Sequence, residues 1–215
     1  LRVFASHFGY NAKAGFPLVG TQAGWDMKRV IGTATVEPDG SAFFQIPANV
    51  PVSIQPLDEE GRAVQLMRSW LVGMPGELVS CVGCHEKRRE TLPTRRNLAH
   101  DRRPEPLQPW YGVPRPFAFA HEVFPVLEQY CIGCHDKPPT VGPRSKPCFK
   151  DPDTAYNTLH PYIHRPGVES DMALLNPMEY HASTSLLIQM LEKGHHGVKL
   201  DQLSREARER LYCWI

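Results

Sequence analysis

No stretch of this chain stays apolar for 18 residues, so the sequence carries no segment able to cross a membrane as a helix. Charge of one sign is also missing. The 24 Lys and Arg are balanced by 23 Asp and Glu, and a net charge of +1 points to neither nucleic acid nor an acidic membrane surface as partner. There is no Gly-x-Gly-x-x-Gly run and no Walker loop, which removes the usual nucleotide sites. No catalytic nucleophile or paired-carboxylate motif stands out, and Glu59-Glu60 falls in a turn signal that leaves it solvent-exposed. Initiator methionine and signal peptide are lacking too. The chain opens on Leu1-Arg2-Val3-Phe4 and closes on Tyr212-Cys213-Trp214-Ile215, so a mature or incomplete piece of a longer protein is expected.

What is present is a repeated cysteine pattern. Cys81-Val82-Gly83-Cys84-His85 and Cys131-Ile132-Gly133-Cys134-His135 both read Cys-X-X-Cys-His, the attachment signature of c-type haem. Two cysteines three apart lie about one helical turn from each other, within reach of both vinyl groups of one porphyrin. The histidine that follows is placed as proximal axial ligand. Two covalently attached haem c groups are therefore expected. A zinc ribbon is the first rival, but its knuckles stand about 15–20 residues apart. Here 46 residues separate Cys84 from Cys131, and a ribbon gives no reason for the histidines. A thioredoxin-like dithiol needs a βαβ context that neither motif has. Covalent haem attachment takes place outside the bacterial cytoplasm, so a periplasmic or extracellular location is expected.

The 21 prolines, about twice the usual share of roughly 5%, predict a loop-rich chain with extended segments. Residues 1–76 read as β. Val30, Gly32, Ala34 and Val36 alternate with Ile31, Thr33 and Thr35, and Pro38-Asp39-Gly40 signals a turn. Further strands are expected at Ser41 to Ile46, Pro51 to Leu57 and Ala63 to Leu71, making a small antiparallel sheet or sandwich. Residues 77–103 hold the first motif, with a short helix over 77–90, and a basic segment. Residues 104–116 read as a Pro-rich linker. Residues 117–215 read as a helical cytochrome domain. Its helices are expected near His121 to Gln129, near Asp153 to Leu159, between Ser183 as N-cap and Gly194 past its end, and after Ser204 as N-cap, where Leu203, Ala207, Leu211 and Trp214 fall at helical spacing. The class is α+β. The basic side chains of Arg88, Arg89, Arg95 and Arg96 read as a solvated loop, or as partners for haem propionates or an acidic protein.

Several of these segments resemble a known family. Asp39-Gly40-Ser41-Ala42-Phe43-Phe44, Leu57-Asp58-Glu59-Glu60-Gly61-Arg62-Ala63, Met67-Arg68-Ser69-Trp70, Pro75-Gly76-Glu77 and the first motif are similar to the C-terminal part of hydrazine synthase alpha-subunit-like proteins, dihaem c proteins of planctomycete type. Val123-Phe124-Pro125-Val126-Leu127, the second motif, and Leu191 through Leu200 are similar to the haem domain that closes them. The resemblance covers most of the chain from about Gly24. It implies a longer protein, one haem with an open or unusual coordination sphere, and one bis-histidine haem. In the hydrazine-forming enzyme the first haem takes a tyrosine as protein axial ligand. This chain has His85 there, a departure that favours an electron-relaying haem over hydrazine synthesis.

His85 and His135 are the proximal ligands on this reading. For the second haem the distal candidates are His196, then His195, then His181; the adjacent pair follows a helix and is flanked by glycines. For the first haem they are His7, His121, His160 and His164, with Met67 and Met74 behind them. A surface or hydrogen-bonded histidine is the plainer reading of each. Cys148 and Cys213 remain, as a disulfide in an exported protein or as buried thiols. Three functions are compatible with these features. The favoured one is an electron-transfer module serving redox partners or the subunits of a larger complex. The others are an enzyme acting on a small nitrogen, sulfur or peroxide substrate at a five-coordinate first haem, and a structural haem subunit.

Overall fold

The structure is a computed structural model and describes residues 1–7, 27–67, 69–82, 96–137, 146–166 and 175–215. The architecture is α+β and loop-rich, as expected. Strands β1 (Arg2–His7), β2 (Met27–Thr33) and β3 (Val52–Gln55) make an antiparallel sheet in the order β2-β1-β3. Its opening residues place β1 in the centre: Arg2, Val3 and Ala5 are fully buried, as a strand paired on both edges requires. Val3 pairs with Gly32 but Phe4 with Val30, so Ile31 is the extra residue of a β-bulge. Gly32 has φ +154°, and a Cβ there would sit 2.7 Å from the Gln108 carbonyl oxygen. That oxygen accepts the Thr33 N–H at 2.9 Å. Only glycine lets the two backbones approach so closely.

Two expected strands do not form. Ser41 to Ile46 makes a single bridge, Phe44 to Glu105, because Pro47 closes the segment. Ala63 to Leu71 makes only isolated bridges, Ala63 with Leu57 and Leu71 with Val52. Its first residues bond elsewhere: the Val64 carbonyl accepts from Met178 N–H, and Gln65 Nε2 donates to the Leu175 carbonyl. The Pro-rich stretch 104–116 is bridged to the sheet segments at Glu105, Gln108 and Pro116. Glu77 to Val82 are not helical, and the rest of the helix expected over 77–90 lies outside the described residues.

The chain divides into two compact units. One is built on the sheet, from Leu1–Pro56, Leu66–Pro116 and Ser170–Leu174. The other is helical: Phe117–Glu169 and Leu175–Ile215, joined by the arm Leu57–Gln65. Its helices are α1 (Phe119–Glu122), α2 (Phe124–Tyr130), α3 (Ile132–His135), α4 (Pro152–Leu159), α5 (Leu186–Lys193) and α6 (Arg205–Trp214). Local caps set their starts. Asp151 Oδ1 accepts the Thr154 N–H at 2.8 Å before α4, and Ser204 Oγ accepts the Ala207 N–H at 3.1 Å before α6. The expected start at Ser183 is corrected to Leu186. Residues Ala182–Thr184 form a separate 3-10 turn capped by the His181 side chain, and Ser185 occupies the cap position of α5. The core joins Val123, Phe124 and Leu127 to Leu159, Ile188, Leu191, Leu211 and Trp214. Within it Glu122 pairs with Arg210, tying α1 to α6. The arm is held by Asp58, whose Oδ2 meets His181 Nε2 at 3.0 Å and Arg62 Nε at 2.8 Å. No described helix is long and apolar enough to cross a membrane.

Candidate cofactor-binding site

The second Cys-X-X-Cys-His motif lies in the helical unit. Cys131 ends α2, donating its N–H to the Leu127 carbonyl at 2.8 Å, and Ile132–His135 turn directly into α3. The Cys134 N–H then donates to the Cys131 carbonyl at 3.2 Å, so the two sulfur-bearing residues share one tight turn. Cys134 is exposed and Cys131 half-buried; burial, with the neighbouring Cys134 adding to it, pushes the Cys131 thiol up to about 11.

His135 is buried and gripped by the strap Lys146 to Phe149. Its Nδ1 lies 2.8 Å from the Pro147 carbonyl oxygen. Phe149 N–H donates to the His135 carbonyl at 2.7 Å, and the Phe149 ring stacks on the imidazole at 4.8 Å and 26°. A carbonyl can only accept, so Nδ1 is the nitrogen that donates, which leaves Nε2 as the nitrogen available to a ligand. That is the tautomer a metal-ligating histidine needs, oriented by a backbone partner. The strap is itself fixed by α4, where Thr158 Oγ1 accepts the Cys148 N–H at 3.1 Å while its own proton goes to the Thr154 carbonyl at 2.7 Å. Pro147 and Phe149 were not legible as site residues, since nothing in the spacing marks a chain returning to His135.

The structure brings His195 to this site. Its ring centre is 6.0 Å from that of His135, with the planes 26° apart, and His196 stands edge-on to His195 at 4.2 Å. Two imidazoles bound on opposite sides of one ion at the usual bond length of about 2 Å have their ring centres about 6 Å apart. Burial first, then His196 and His135, hold the His195 imidazole below its ordinary value and favour the neutral, ligating form. His135, His195 and the two thiols therefore fit a covalently tethered haem. His181 does not reach the site: its Nε2 is taken by Asp58 and its Nδ1 by Ser183 Oγ at 2.7 Å. Among the described residues no group of three or more His, Cys, Asp and Glu could hold a metal ion by itself.

The remaining candidates are dispersed. His121 is exposed on α1, His160 follows α4 beside Tyr156, and His164 Nδ1 bonds Thr184 Oγ1 at 2.8 Å. His7 ends β1, and its side chain lies outside the described residues. Met67 Sδ accepts the Ile54 N–H at 3.4 Å. Cys84, His85, Arg88, Arg89 and Arg95 also lie outside the described residues. Arg96 pairs with Asp101 at 2.7 Å. Cys81 is exposed, at the end of a stretch where Trp70, Val72, Met74, Leu78 and Val79 are also exposed. Cys148 is fully buried and carries a free thiol, so the bridge to Cys213 that its spare cysteines allowed is not formed.

The family model of the hydrazine synthase alpha subunit middle domain matches residues 1–86. The fold is similar to a chain of Kuenenia stuttgartiensis hydrazine synthase, with a TM-score of 0.59 at 18% identity. That match covers 100% of this chain and 38% of the other, so the present chain spans well under half of its relative's length. No curated protein matches it significantly. The chain is thus similar to the hydrazine synthase alpha subunit middle domain over residues 1–86, and along its whole length it shares the fold of part of a hydrazine synthase chain.

Proposed function

We propose that this chain is a dihaem c-type cytochrome module that passes electrons within a longer or multi-subunit exported redox protein, with redox proteins or further subunits as partners. The observation that carries the reading is the hold on His135, whose Nδ1 is fastened to Pro147 while His195 faces the same place. Haem bound there supplies a one-electron Fe(III)/Fe(II) step. The chain's own part is to tether and orient. Cys131 and Cys134 would provide the thioether sulfurs, each S–H adding across a vinyl group with no leaving group. With His135 and His195 both holding it, the iron would have no position open for a substrate, which would suit electron transfer. At the first motif, Cys81 and Cys84 would tether the second equivalent and His85 would ligate it. The exposed apolar stretch from Trp70 to Val79 would give that haem side chains to pack against. Relationship to a subunit of hydrazine synthase supports a place in a larger assembly.

The decisive measurement is pyridine haemochrome quantitation on the chain produced with covalent haem attachment. Two haem c per chain are expected, and one or none overturns the reading. A reduced spectrum unchanged by CO supports electron transfer. CO uptake at one haem would replace that function with an enzyme acting on a small substrate.

A further inference from the structure

The histidine pair behind α5 is split in role by its backbone. After Gly194 ends the helix, His195 and Val198 exchange both backbone hydrogen bonds: His195 N–H to the Val198 carbonyl at 2.8 Å, and Val198 N–H to the His195 carbonyl at 3.0 Å. This closes a two-residue β-turn whose central residues are His196 and Gly197. Both are left-handed, with φ 49° and φ 86°. Positive φ at both central positions is the I′ pattern, for which Asn-Gly is the strongest sequence and which β-branched residues oppose. The turn is fastened on each side. Leu191 is buried before it; after it Val198 packs on the core, Leu200 is buried, and Lys199 N–H donates to Gln202 Oε1 at 2.8 Å. His195 therefore leaves a rigid position, and its ring arrives 6.0 Å from that of His135. His196 spends its place in the chain on the turn, and its side chain is exposed.

Resting on the reading that a haem is held at His135, we propose that His196 is a positioning residue: its left-handed backbone aims His195 at the haem, and its imidazole is not a ligand. What position 196 requires is then tolerance of positive φ rather than a ring nitrogen.

The test uses the full haem-loaded chain and follows the optical and EPR signature of low-spin against high-spin haem, together with the reduction potentials. His196→Asn, which keeps the I′ turn, is expected to retain the wild-type low-spin spectrum and potentials. His196→Val is expected to convert part of one haem to high spin. His195→Gly is expected to convert that haem fully and to regain the low-spin form on adding free imidazole, which separates lost ligation from misfolding. A high-spin haem in His196→Asn, with His195→Gly unaffected, would make His196 the ligand and overturn the proposal. If His195→Gly turns high-spin but His196→Val matches wild type, positioning fails while the haem reading stands. If every variant stays low-spin, the pair does not ligate, and the assignment of the site falls with the proposal.

Discussion

The imidazole of His135 is held between the Pro147 carbonyl oxygen, 2.8 Å from its Nδ1, and the Phe149 ring stacked at 4.8 Å. The pair shows how a strap from a later part of the chain sets the tautomer and the orientation of a side chain that α3 presents. Removing the ring should loosen both. Phe149→Ala is expected to cost about 3–5 kcal/mol of stability, the usual penalty for emptying a buried phenylalanine site. The loss is read from denaturant unfolding. The same variant should broaden the low-spin EPR signal of the second haem, and a signal identical to wild type would show that Phe149 does not orient His135.

The bulge in β2 makes a second prediction. A Cβ at position 32 meets the Gln108 carbonyl oxygen and the Leu107 Cβ, each at 2.7 Å. Neither is the free end of a flexible side chain, so the backbones must separate. Gly32→Ala should therefore destabilise by about 1–3 kcal/mol. Gly40→Ala serves as a comparison, because nothing lies within 4 Å of its Cβ and only its positive φ is strained. Equal losses at the two positions would remove the close approach as the cause.

Acid should release the arm Leu57–Gln65. Burial pushes the Asp58 carboxyl up, but the Arg62 backbone N–H, the Arg62 guanidinium and His181 outweigh it and hold it below its ordinary 3.8. A depressed carboxylate contributes stability that is fully present above its unfolded value and fades as pH falls through the folded one. Asp58 thus stabilises the helical unit at neutral pH, and its contribution declines below about pH 4. In Asp58→Asn this part of the acid dependence should vanish. Unfolding midpoints measured from pH 7 down to pH 2 would show it, and parallel curves for the two proteins would contradict it.

The Glu122–Arg210 pair ties α1 to α6, and the Glu122 side chain is almost fully buried. Removing Glu122 takes away the buried carboxylate and leaves the Arg210 guanidinium with the half-exposed Glu206, 2.5 Å from its Nη2, so the loss falls below that of a stranded buried charge. Glu122→Gln is expected to cost about 1–3 kcal/mol by thermal or denaturant unfolding. The double variant Glu122→Gln with Arg210→Met should recover part of that loss. No recovery would mean that the pair is not coupled in the folded chain.

How much of this was legible in the amino-acid order differs from element to element. Helix α6 was readable at both levels, with Ser204 as cap and Leu203, Ala207, Leu211 and Trp214 as its buried stripe, because caps and stripes are local. Gly194 likewise ends α5 where it was expected. The strands at Ser41 to Ile46 and Ala63 to Leu71 were misread. Their residues suit a sheet, but Phe44 finds its one bridge partner at Glu105, and Val64 and Gln65 bond into the helical unit. Strand formation depends on a partner that can lie anywhere in the chain, and alternation does not name it.

The site divides along the same line. Motif spacing puts Cys131, Cys134 and His135 within one turn of chain, and short-range geometry needs nothing further to keep them together. Pairing His195 rather than His196 or His181 with His135 depends on an approach across sixty residues, which a left-handed turn at His196 and Gly197 and a strap returning through Pro147 and Phe149 together set up. His181 carries the same imidazole, yet it is committed to Asp58 and Ser183. A side chain's chemistry is written in its type. The neighbours that use it are set only when burial and backbone hydrogen bonds fold distant segments onto one another.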